Sequence, residues 1–127
     1  MINKDNFKAL LRHLKFKEKG DIFNKDFEES GVYLKVDFKN EELDYPELVG
    51  LKINERQTCN FASAENAVVF ECVYQLLEKG YKPKHIELEP KWKLGHGASG
   101  GRADILVKNQ KDKPLLIIEC KTYGKEF

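Results

Sequence analysis

Gly100-Gly101-Arg102-Ala103-Asp104-Ile105-Leu106-Val107, followed after a polar turn by Leu115-Leu116-Ile117-Ile118-Glu119-Cys120-Lys121, decides how the rest of the chain is read. Two short apolar runs joined through Lys108 to Lys113 predict adjacent strands, with an acid heading the first and an acid and a lysine near the end of the second. Side chains alternate faces along a strand, so Glu119 and Lys121 are expected on one side and Cys120 on the other. With Asp104 on the side of Glu119, two carboxylates and the backbone carbonyl of Cys120 make an oxygen donor set for a hard divalent cation such as Mg²⁺, and Lys121 stands beside a metal-bound water. A plainer reading uses the same residues: Asp104 accepts from a turn amide, and Glu119 pairs with Lys121 or Arg102 at a sheet end, where an ion pair in solvent stabilises little.

The pattern (D/E)-x-K is common in so charged a chain and occurs also as Asp37-x-Lys39 and Glu89-x-Lys91. Only Glu119-x-Lys121 ends an apolar strand that follows an apolar strand headed by Asp. Upstream, Gly95-His96-Gly97-Ala98-Ser99-Gly100 matches G-x-G-x-x-G, but a dinucleotide fingerprint must leave a strand and open a helix, and here a strand follows. The glycines are therefore read as a hairpin loop whose amides at Gly100 and Gly101 reach a phosphate, with His96 either contacting phosphate too or simply solvated.

A chain of 127 residues supports one domain with a modest core. Charged residues at 34% and hydrophobic residues at 41% are ordinary for a soluble globular protein. The apolar runs are too short to span a membrane and the N-terminus lacks an apolar signal core, so a cytoplasmic location and no membrane partner are expected. Three cysteines, Cys59, Cys72 and Cys120, have no metal-ligand spacing and read as buried thiols in a reducing compartment. From Gly80 onward ten Lys/Arg face six Asp/Glu, whereas twelve face fifteen before it, which points a polyanion toward the C-terminal part.

Further upstream, Phe7, Leu10, Leu11 and Leu14 predict a helix over 6–14 with Asp5 as N-cap. Val32, Leu34, Val36 and Phe38 alternate with polar residues and predict a strand, with partners at 22–27 and 48–53 and an acidic turn at 40–46. Ser63 caps a helix from Ala64 to Lys79 that Gly80 closes. On a helical wheel Val68, Val69, Cys72, Val73, Leu76 and Leu77 form its buried stripe, Glu65 falls inside that stripe, and Glu71 lies with Tyr74, Gln75 and Glu78 opposite. A carboxylate aimed at a core needs a partner, although in the first turn Glu65 also complements the helix dipole. Ile86 to Leu94 reads as the next strand, with Pro90 at a bend or edge.

Asp104 followed by Glu119-x-Lys121 resembles the signature of the PD-(D/E)xK nucleases. Gly-Gly-Arg-Ala-Asp-Ile and Leu-Ile-Ile-Glu-Cys-Lys-Thr are similar to the type I restriction enzyme R-protein N-terminal domain, in the version found at the N-terminus of restriction-modification N6-adenine DNA methyltransferases. Ala103-Asp104 stands where the family has Pro-Asp. The resemblance implies an α/β fold with a restriction-endonuclease-like core, a helix followed by a mixed three-stranded sheet, over 60–127, and an α+β extension over 1–59. It further implies a metal-dependent DNA endonuclease using Mg²⁺, with Mn²⁺ as substitute, held by Asp104, Glu119 and an acid of the preceding helix, Glu65 before Glu71. Lys121 would orient the attacking water, and Arg102 would contact a DNA phosphate. The family core continues with a helix and a further strand, so the domain is expected to be truncated at its C-terminal end, with dimerisation supplying the missing cover. The implied partners are DNA, methyltransferase or other restriction-modification domains, and a second copy. The alternative is a non-catalytic DNA-binding or assembly module that keeps the nuclease fold.

Overall fold

The computed structural model of the chain describes residues 1–90 and 103–120. They form a mixed α/β structure of two helices and two four-stranded sheets around one hydrophobic core. Helix α1 is Lys4–His13, starting two residues earlier than expected: the Asn3 side chain accepts from the Asn6 amide at 3.0 Å. Asp5 thus lies inside the first turn, where its charge suits the helix dipole, rather than at the cap. Phe7 and Leu11 are the buried positions of this helix.

The first sheet is the antiparallel meander β1 (Lys17–Lys19), β2 (Ile22–Asp26), β3 (Tyr33–Asp37) and β4 (Glu42–Asp44), hydrogen-bonded in that order. The alternation around β3 is realised: Val32, Leu34, Val36 and Phe38 are buried while Tyr33, Lys35 and Asp37 are half-buried. Two expectations fail beside it. The acidic segment at 40–46 contains strand β4, because Leu43 pairs with Val36 and both it and Tyr45 enter the core. The strand expected over 48–53 shrinks to β5, Lys52–Ile53, because Glu47–Val49 is a 3-10 turn that leaves Leu48 solvent-exposed. Gly50 ends that turn at φ 109°, and an added Cβ would stand 2.9 Å from Lys84 Cβ, so the position demands glycine.

Helix α2 spans Ala64–Glu78, with the Ser63 hydroxyl accepting from the Glu65 amide and Gly80 in the left-handed region behind it. It carries the chain from β5 to the parallel strand β6 (Ile86–Leu88), as a parallel crossover requires. Strands β7 (Ile105–Lys108) and β8 (Pro114–Ile118) follow antiparallel, giving the order β5-β6-β7-β8. The strand expected from Ile86 to Leu94 stops at Leu88, where Glu89 takes a left-handed φ of 48°, and its part beyond residue 90 lies outside the described residues. The 1–59 segment thus supplies β5 to the sheet of the C-terminal part.

The expected single stripe of α2 is also corrected. Phe70 and Tyr74 are buried along with Val69, Val73, Leu76 and Leu77, while Val68 and Cys72 are only partly so. Phe70 meets the rings of Phe7, Phe16 and Tyr45 at 5.8, 6.0 and 5.5 Å, and Tyr74 meets Phe16 and Phe27. Cys72 meets Cys120 after β8. The helix is packed on more than one side, so one apolar stripe does not describe it.

Candidate functional site

Asp104 stands one residue before β7 and is tied at three points. Its amide donates to the Ile118 carbonyl at 3.0 Å, its carbonyl accepts from the Glu89 amide at 2.9 Å, and its Oδ2 accepts from the Cys120 amide at 2.6 Å. The last bond gives the carboxylate a structural task, binding the chain just past β8, through a strand-end amide and not the turn amide of the plainer reading. It also places the Cys120 amide, rather than its carbonyl, against Asp104.

The β7–β8 pairing ends at Ile105 and Ile118, so Asp104 and Glu119 adjoin it at the same end of the two strands. Glu119 is exposed and Cys120 buried, the alternation expected of a strand end. Asp104 also lines a cleft of about 240 Å³ with Glu65, Glu89, Asn60 and Asn66. Asn66, itself buried, donates to the Gln57 and Asn60 carbonyls at 2.8 and 3.0 Å and so shapes the wall of this cleft.

Glu65 is not aimed into the core as the wheel reading has it. Capping by Ser63 puts it in the first turn, exposed at the rim, while Asn66 takes the buried position beside it. It nonetheless shares the cleft with Asp104, which Glu71, half-buried and further along α2, does not. Glu89 is the acid that sequence reasoning passed over. It belongs to a (D/E)-x-K that looked incidental, and only its left-handed turn and its amide bond to Asp104 bring it to the cleft. Lys121, Arg102, Gly100, Gly101 and His96 lie outside the described residues.

Asp104, Glu65 and Glu89 line one cleft, and carboxylates are the donor type that Mg²⁺ takes. Among the described residues, no three His, Cys, Asp or Glu are grouped so as to hold a metal. Next to the cleft, the Cys120 thiol donates to Cys72 Sγ at 3.5 Å. That hydrogen bond lowers the Cys72 pKa and raises that of Cys120, with burial and then the charges of Cys72, Asp104 and Glu65 pushing Cys120 further up. Of the two thiols, Cys72 is therefore the one that ionises more readily.

On the same sheet, Glu87 is a second acid that periodicity did not flag. Burial pushes its pKa up, but the Asn54 amide at 2.7 Å and Lys108 Nζ at 3.2 Å outweigh that and hold it below the usual value. It pins β6 to β7 and to the residue after β5, and so steadies the strand that Asp104 heads.

Compared with known proteins, the chain matches no family model, no curated protein and no solved structure. No helix among the described residues is long and apolar enough to cross a membrane.

Proposed function

We propose that this chain is a metal-dependent DNA endonuclease domain of a restriction-modification system that hydrolyses phosphodiester bonds. The observation that carries the proposal is the placement of Asp104. It heads the central β7 of an antiparallel β6-β7-β8 unit preceded by α2, stands at the sheet end where Glu119 follows β8, and shares a cleft with Glu65 of that helix. A Mg²⁺ ion bound there would neutralise phosphate charge and lower the pKa of a water. Asp104, Glu119 and Glu65 are the residues that would hold it.

The remaining work falls to the chain. The Cys120 amide fixes one oxygen of Asp104 and so orients its carboxylate. Lys121, two residues beyond Glu119, would hold the attacking water at its Nζ and add positive charge as the phosphate oxygens gain negative charge. Arg102, Gly100, Gly101 and His96 would contact the DNA backbone. The basic excess after Gly80 favours that partner, and such binding weakens as salt rises.

One observation favours a second reading. Asp104 already serves β8 structurally, and a non-catalytic DNA-binding or assembly module would retain it for that bond alone. Cleavage of supercoiled plasmid in Mg²⁺ or Mn²⁺ separates the two. Cutting that EDTA abolishes and that Lys121→Ala lowers about a hundredfold or more supports the nuclease. Cutting that survives the substitution refutes the assigned site, and a folded chain that binds DNA without cutting it supports the module.

A further inference from the structure

We infer that Cys72 and Cys120 are a dithiol that closes to an intramolecular disulfide, a redox modification site joining α2 to the end of β8. The sulfurs already touch at 3.5 Å, and an approach of roughly 1.5 Å brings them to the bonded separation of about 2.05 Å. The cysteines stand 48 positions apart, so packing of the helix against the strand end makes the pair, and no short cysteine motif announces it.

Their exposure sets an order of events. Cys72 is half-buried and Cys120 buried, so a small disulfide such as oxidised glutathione meets Cys72 first. The Cys72 sulfur bonds to one glutathione sulfur, the glutathione disulfide bond breaks, and the second glutathione leaves as a thiol with the Cys72 proton. The Cys120 sulfur then bonds to that of Cys72, and the first glutathione departs with the Cys120 proton. In sum, two protein thiols are oxidised to one disulfide, and one glutathione disulfide is reduced to two thiols. The third thiol, Cys59, has its sulfur at 3.8 Å from the Thr58 hydroxyl.

The bond reaches the cleft through one residue. Cys120 presents its sulfur to α2 and its amide to Asp104 Oδ2 at 2.6 Å, so drawing the sulfur toward Cys72 acts on the backbone group that orients Asp104. The redox state of the pair and the setting of Asp104 are thereby linked.

The test is to equilibrate the native chain with excess oxidised glutathione, quench in acid, alkylate under denaturing conditions and map the peptides by mass. The expected product has lost two of its three alkylatable thiols, links the Cys72 and Cys120 peptides, and regains both thiols in dithiothreitol. Cys120→Ser is expected to stop at a glutathione adduct on Cys72. Three alkylatable thiols under conditions that oxidise a reference dithiol would overturn the inference. So would a bridge through Cys59 or a lasting glutathione adduct on the unsubstituted chain. The peptide map of that chain decides the matter even where the serine variant does not fold.

Discussion

The two sheets are built by different rules. In the first, β3 alternates buried and half-buried residues and β1 is wholly exposed, so one face meets the core and the other faces water. In the second, Ile86, Glu87 and Leu88 of β6 and Ile105, Leu106 and Val107 of β7 are all buried, while β8 at the edge leaves Leu115, Leu116 and Ile117 exposed at 55, 41 and 46%. A sheet whose inner strand β3 keeps the amphipathic rule is a support. The sheet that breaks it, with an acid inside, a left-handed Glu89 and an apolar edge, is the one that carries the cleft.

Phe70→Ala breaks this contrast most severely, because Phe70 belongs to α2 yet packs against the rings of α1 and of the region after β4. A loss of about 3–5 kcal/mol is expected in urea unfolding. A loss near zero would mean that the helix is not seated on the aromatic layer.

Glu87→Ala addresses the second sheet alone, leaving half-buried Lys108 without its carboxylate, at a cost of about 2 kcal/mol. The sign with pH follows from the depressed pKa: Glu87 contributes stability above its unfolded value of 4.5 and loses it as pH falls through the lower folded value. The stability gap between the native chain and Glu87→Gln should therefore narrow in acid. A gap constant across that range would remove Glu87 from the account.

The smallest effect concerns Tyr45, whose buried hydroxyl finds no hydrogen-bond partner among the described residues. Burial first, then the thiols of Cys59, Cys120 and Cys72, keeps this phenol protonated. Tyr45→Phe removes an unsatisfied donor and should leave stability unchanged or raise the thermal midpoint by the equivalent of about 1 kcal/mol. A marked loss would reveal a bond to that hydroxyl.

What could be read from the sequence was local. Ser63 and Gly80 bound α2, alternation marks β3, and the apolar runs on either side of Lys108 to Lys113 place Asp104 and Glu119 at the ends of neighbouring strands. Each of these rests on spacing within a few residues, where period and capping act directly. Glu65 was legible as an acid of the right helix, but its orientation was misjudged because the wheel assumed a single core-facing stripe.

Tertiary structure alone decided the rest. The burial of Phe70 and Tyr74 depends on rings contributed by α1 and by the residues that follow α1, β2 and β4. Strand β5 joins β6 across the length of α2, too few residues to announce itself without its partner. Glu89 reaches the cleft because its amide binds the Asp104 carbonyl, and Cys72 finds Cys120 through packing. These contacts join residues distant in the chain, and hydrophobic periodicity records which face a residue prefers without recording which distant residue will meet it.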